Sequence, residues 1–194
     1  MSTLEEALGA LAAGQAIVLP TDTVYGVGAL PTDPRAIAAI FAAKGRPEDK
    51  ALPVLGAELT ALTQVAEFTG PARLLADRFW PGPLTLVLPR AAGFDHDLGG
   101  TDPSTIAVRI PAFAPTLELL AMSGPLAVTS ANRSGEPPAA TVHDARDALG
   151  DVIGVYLDGG RVAGAPSTVV SLVGEPAVLR EGALPASEIF ALMG

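Results

Sequence analysis

The chain opens on an amphipathic helical pattern. Thr3-x-x-Glu6 reads as a capping box, Leu4, Leu8 and Leu11 fall on one helical face, and Gly14 stops the run. The apolar run 16–19 predicts a short buried strand, and a turn at Pro20 to Thr23 leads into a second strand over 24–29. Asp33-Pro34 supplies a cap and a proline at the first helical position. Ile37, Ile40 and Phe41 then form an apolar helix face as far as Lys44, where Gly45 and Pro47 break the pattern. A strand is predicted at 52–55, a helix over 58–68 with Leu59, Leu62 and Val65 inward, and another over 71–79, closed by Trp80-Pro81-Gly82-Pro83. Further strands are predicted at 84–88, 105–110, 126–129, 152–157, 168–172 and 177–179, with helices near 116–122 and 143–149.

Strands interleaved with helices argue for one sheet covered by helices, and strand pairs with no helix between them for mixed pairing. The expectation is an α/β fold (α+β-like), a single three-layer domain over 1–194 with a mixed β-sheet flanked by helices. No internal repeat or low-complexity linker interrupts it.

Composition narrows the chemistry. Hydrophobic residues make up 49% of the chain and charged ones 17%, which suits a buried core and excludes a disordered chain. No run approaches the ~18 apolar residues of a membrane span, and Met1 to Glu6 lacks the basic start of a signal peptide. A cytoplasmic protein with no membrane contact is expected. The absence of cysteine removes disulfides, thiolate metal sites and a cysteine nucleophile. His96 and His143 stand far apart without recognisable partners, so neither a metal site nor a serine–histidine relay is expected. What remains is hydroxyls, amides, carboxylates, Lys and Arg, a set suited to positioning and neutralising phosphates.

The net charge of −9 argues against a broad nucleic-acid footprint. Against that background, Lys44, Arg46, Lys50, Arg109 and Arg180 fall in or beside Pro- and Gly-punctuated segments and point to a local anion pocket. Pro20-Thr21-Asp22-Thr23-Val24-Tyr25-Gly26 clusters hydroxyls and a carboxylate where a strand ends; a turn bonded to its own backbone is the competing account and, from the residues alone, the stronger one. Lys44-Gly45-Arg46-Pro47-Glu48-Asp49-Lys50 concentrates cations on a loop; a helix-end charge and pairing with Glu48 and Asp49 is the competing account. Arg109 lies inside an alternating strand and must face solvent or a polar pocket. Thr129-Ser130-Ala131-Asn132 and Pro166-Ser167-Thr168 add hydroxyls and an amide at strand ends.

These segments, with Phe79-Trp80-Pro81-Gly82-Pro83-Leu84-Thr85 and Leu179-Arg180, occur in the order seen in the YrdC/Sua5 family, which the chain resembles from about 16 to 182. The length is similar to that of its short, single-domain form. The resemblance implies a twisted mixed sheet with a concave, cation-lined ligand face. It implies an L-threonylcarbamoyladenylate synthase, a nucleotidyltransferase joining L-threonine, bicarbonate and ATP, with Mg2+. Pyrophosphate is released, and the product feeds N6-threonylcarbamoyladenosine at position 37 of tRNA through downstream threonylcarbamoyl-transfer proteins. By resemblance Thr23, Arg109, Ser130 and Ser167 bind threonine. Lys44, Arg46, Lys50, Thr105, Asn132 and Arg180 face ATP, with Lys44 and Arg46 catalytic. The chain departs from the family pattern at Ala51, Ala139-Ala140 and Ser171.

Two other readings compete. One is a structured-RNA-binding module without adenylation activity, making weak RNA contact through the same face; the acidity and the scarcity of stacking aromatics count against it. The other is a carbamoyl-transfer domain like that of hydrogenase-maturation proteins, which sits in far longer chains.

Overall fold

A computed structural model of the chain describes residues 2–193. The elements run α1 (Leu4–Ala12), β1 (Ile17–Leu19), β2 (Gly26–Ala29), α2 (Pro34–Lys44), β3 (Val54–Leu55), α3 (Leu59–Leu62), α4 (Gly70–Phe79), β4 (Leu84–Pro89) and β5 (Thr105–Arg109). They continue with α5 (Ala114–Ser123), β6 (Leu126–Ser130), α6 (Val142–Leu149), β7 (Val155–Tyr156), β8 (Thr168–Ser171), β9 (Ala177–Arg180) and α7 (Ala186–Met193). The capping residues act as their positions predict. Thr3 and Glu6 bond each other's backbone N–H, and the Asp33 carboxylate accepts from Arg35 and Ala36 N–H. Gly45 ends α2 in the left-handed region, at φ 58°, and this turns the chain into the cationic loop that follows.

All nine strands join one mixed sheet in the order β7-β1-β2-β6-β3-β5-β4-β8-β9. β1/β7, β3/β5 and β4/β8 pair parallel, and the other neighbours antiparallel. Strand alternation divides the interior in two. Val18, Leu84, Leu86, Val108 and Val170 face a core shared with α2, α3, α4, α6 and α7. Ile17, Leu19, Leu126 and Val128 face a second core built with α1 and α5. Helices on both faces give the three layers. The second core takes no residue from β4, β5 or β8. On those strands the side alternate to the first core carries Thr85, Ala107, Arg109 and Val169. The sheet is therefore left without a helix cover where its face turns polar, and the site lies there.

Two expectations need correction, and one element went unread. The helix over 58–68 is only Leu59–Leu62, because the following backbone is claimed elsewhere: Glu67 N–H donates to Pro89 O, Ala91 N–H donates to Val65 O, and Ala66 bridges to Arg90. The strand over 152–157 is a 3-10 turn, Gly150–Val152, followed by the two residues of β7. Helix α7 has no counterpart in the sequence reading; the Glu181 carboxylate caps it by accepting from Ala186 N–H, and Ile189 is buried beneath it. No helix among the described residues is long and apolar enough to cross a membrane.

Candidate active site

On the open face lies a cavity of about 300 Å³. Of the candidate residues, Thr23, Arg46, Arg109, Ser130, Asn132, Ser167 and Arg180 line it. Lys44, Lys50 and Thr105 do not. Strand register explains the convergence: Leu55 of β3 pairs with Arg109 at the end of β5, and Gly26 pairs with Ser130 at the end of β6. Side chains from several strand ends thereby meet in one hollow.

Arg109 is only 6% exposed, and its fork is fixed on three sides. Nε donates to Gly82 O at 2.9 Å, Nη1 to Thr23 Oγ1 at 2.9 Å, and Nη2 to the Asp22 carboxylate. Burial pulls its pKa down and the adjacent carboxylate opposes that, yet a guanidinium stays protonated under any working condition. Arg180 donates from Nε and Nη2 to Ser167 O, at 3.2 and 2.8 Å, while Ser167 Oγ lies 2.8 Å from Thr85 Oγ1. Arg46 does not pair with Glu48 or Asp49. Its Nε and Nη2 donate instead to Lys50 O and Ala51 O, both at 2.9 Å, which aims the cationic loop at the cavity. Among the described residues only Arg35 with Asp33 and Arg109 with Asp22 form ion pairs, so Arg46 and Arg180 bring positive charge to the cavity wall without a directly paired carboxylate. An anion is the natural occupant.

Lys44 is placed otherwise. It is 3% exposed, and its ammonium donates to Ser130 O, Asn132 O (2.6 Å) and Asn132 Oδ1 (3.4 Å). The Asn132 amide nitrogen donates to Arg133 O and Glu136 O. Together these two side chains clamp the turn after β6. Lys50 is exposed at the loop tip. Thr105 shares the face of Arg109 but stands four residues back, about 13 Å along the strand.

The chain resembles known proteins over nearly all its length. A family model for Sua5, YciO and YrdC proteins, described as telomere recombination, matches residues 9–182. The chain belongs to this family. A Mycobacterium tuberculosis (strain H37Rv) member with the provisional name threonylcarbamoyl-AMP synthase is 44% identical over 191 residues, covering 97% of this chain and 88% of its own. The threonylcarbamoyl-AMP synthase of Pyrococcus abyssi is 42% identical over 97% of this chain and 56% of its own, so the chain spans about half that longer member. Among solved structures, P. abyssi Sua5 complexed with L-threonine superposes with a TM-score of 0.93 at 40% identity, over 98% of this chain and 57% of that one. E. coli YciO gives 0.87 at 25% identity, over 96% and 92%.

Thr21, Thr85 and Glu136 also line the cavity; the sequence reading gave none of them a binding role, although Thr21 and Thr85 fall in segments it singled out. Thr85 was findable: it is the polar alternate of Leu84 and Leu86 on a strand whose other face is core. Gly182 keeps the Ser167–Arg180 wall closed. A Cβ there would stand 2.2 Å from Pro166 O and 2.5 Å from Ser167 C, both backbone atoms. Gly182→Ala is expected to cost about 1–3 kcal/mol of stability, checked by thermal unfolding.

Proposed function

We propose that the chain is an L-threonylcarbamoyladenylate synthase, acting as one domain in the cytoplasm. The observation that carries this reading is the meeting of Arg46, Arg109 and Arg180 with Thr23, Ser130 and Ser167 at one cavity. Family members named for this activity, and one solved with L-threonine, support it. The threonine amine adds to the carbon of CO2 derived from bicarbonate and loses a proton, giving a carbamate. A carbamate oxygen attacks the α-phosphorus of ATP, the bond to the bridging oxygen breaks, and pyrophosphate leaves.

Arg109 takes the substrate carboxylate, and Ser130 and Ser167 hold the rest of the amino acid. Arg46 and Arg180 offset charge on the phosphates, where preorganised cations do most of the work of phosphoryl transfer. Lys44 and Asn132 hold the turn that carries Ser130. Lys50 and Thr105 meet only parts of the nucleotide that reach beyond the cavity. At about 300 Å³ the cavity is at the low end for a small-molecule site, so the nucleoside extends into the adjoining hollow of Pro137, Pro138 and Ala140. Among the described residues Glu136 is the one carboxylate lining the cavity, so Mg2+ would be held chiefly by ATP oxygens with Glu136 beside it, supplying further charge neutralisation. The product then passes to downstream threonylcarbamoyl-transfer proteins acting on tRNA.

Incubation with labelled L-threonine, bicarbonate and ATP is expected to give an adenylated threonine derivative and equimolar pyrophosphate. Pyrophosphate release that requires carbamoyl phosphate and ignores threonine would replace this reading with the carbamoyl-transfer one.

A further inference from the structure

Arg46 is aimed through two backbone oxygens, so its direction is only as firm as the backbone that carries them. Nε donates to Lys50 O and Nη2 to Ala51 O. Both oxygens belong to the loop between α2 and β3, which has no regular structure of its own. Among the described residues, two backbone bonds tie positions 48–52 to another part of the chain. Gly100 N–H donates to Glu48 O at 2.7 Å, and Leu52 N–H donates to Leu98 O at 2.8 Å. Both run to the loop between β4 and β5.

That second loop is firmly seated. Phe94 and Leu98 are buried in the first core, and Arg90 lies over the Phe94 ring and donates from Nη1 to His96 O at 2.8 Å. Asp97 Oδ1 accepts from Gly99 N–H at 2.9 Å, closing a turn in which Gly99 and Gly100 take φ of 74° and 95°. Gly100 packs flush on Ala51: a Cβ added to it would stand 2.9 Å from Ala51 Cβ and 3.5 Å from Ala51 Cα and N. Neither Asp97 nor Gly100 lines the cavity; both line a second hollow, of about 560 Å³, that has Arg46 in its wall as well.

We propose that the loop between β4 and β5 is a brace for Arg46, with Gly100 as a positioning residue and Asp97 setting its turn. Gly100 fixes where Ala51 stands, the oxygens of Lys50 and Ala51 fix the fork, and the fork keeps its remaining N–H groups toward the phosphates. This rests on the adenylation reading above. Glycine is required at 100 because a side chain there would meet Ala51 and would occupy a backbone region that L-residues avoid. A displaced fork leaves the charge present but misaligned, so the loss falls on turnover.

The test is steady-state pyrophosphate release by the full chain, with calorimetric titration of L-threonine and a melting curve for each variant. Gly100→Ala should lower kcat on the order of tenfold and hold threonine affinity within about twofold, because the fork of Arg109 bonds Gly82, Thr23 and Asp22 and no residue of the brace. In an Arg46→Ala background the same substitution should cost less than about twofold, since the group it acts through is gone. Adding Ala51→Gly removes the atom at 2.9 Å and should restore most of the turnover, while the lowered melting point, which comes from the strained φ, remains. Asp97→Ala should lower kcat severalfold, and Asp97→Asn, which keeps the accepting oxygen, should not. Should Gly100→Ala not fold, the Asp97 pair, measured with and without Arg46, decides. Equal losses with and without Arg46, a threonine affinity that falls as far as kcat, or an Ala51→Gly double variant no more active than Gly100→Ala would overturn the proposal. A wild-type chain that releases no pyrophosphate overturns the functional reading, and this inference with it.

Discussion

Arg46→Ala is expected to lower threonine- and bicarbonate-dependent pyrophosphate release by on the order of 10²–10³-fold while leaving the fold in place. The side chain belongs to a loop, lies outside both buried clusters and has no carboxylate partner, so its loss opens no core cavity. The two backbone oxygens it releases, on Lys50 and Ala51, belong to a loop open to water, and water can replace the guanidinium there. Catalysis has no such substitute. An arginine already held in place costs no reorganisation when charge moves onto the leaving pyrophosphate, whereas water must reorient. Arg46→Lys should recover little, because an ammonium cannot bond Lys50 O and Ala51 O through one planar fork and still present N–H groups to the cavity. Circular dichroism and the pyrophosphate assay, run on the same preparations, check both halves. Wild-type turnover in the alanine variant would remove Arg46 from the mechanism.

What could be read from the residues was whatever local chemistry governs. The caps at Thr3 and Asp33 and the stop at Gly45 are decided within a turn of helix, and the chain obeys them. The alternation in β4 and β5 likewise placed Arg109 on a face opposite the core before any partner was known. Local periodicity failed at 58–68, where Leu59, Leu62 and Val65 keep helical spacing but Pro89 O accepts from Glu67 N–H and Val65 O from Ala91 N–H, drawing the backbone into the Ala66–Arg90 bridge at the end of β4. The site divides in the same way. The residues named on strand ends converge on the cavity because strand ends of a sheet meet in space. The role of Lys44 was hidden because its partners, Ser130 and Asn132, lie 86 and 88 positions away, and nothing near Lys44 tells a loop cation from a buried clamp. Asp22 was hidden for the converse reason: a turn-forming carboxylate looks the same whether it caps its own backbone or holds a distant arginine.

The clamp gives the site an alkaline limit. Burial, and secondarily the charge on Arg46, pulls the Lys44 ammonium down to about 8. Below that pH its three N–H groups match the three acceptors on Ser130 and Asn132. Above it, two remaining donors face three oxygens and the turn carrying Ser130 loosens. kcat/KM for ATP, which reports the free enzyme, is therefore expected to fall along a limb with its midpoint near 8, and an incoming triphosphate, favouring the charged form, should move the kcat limb higher. Stability runs the other way. Between about 8 and the ordinary lysine value of 10.5 the unfolded chain holds the proton that the folded chain has lost, so the contribution of Lys44 to stability increases with pH across that window. Lys44→Met should abolish both dependences, cost about 1–3 kcal/mol through the unmet carbonyls, and lower activity on the order of 10²-fold by misplacing Ser130. Parallel pH–rate and pH–melting profiles of the two proteins test this. A methionine variant that keeps the limb near 8 would assign it to another group, whereas its loss together with a flatter melting profile would identify one buried ammonium as the source of both opposing trends.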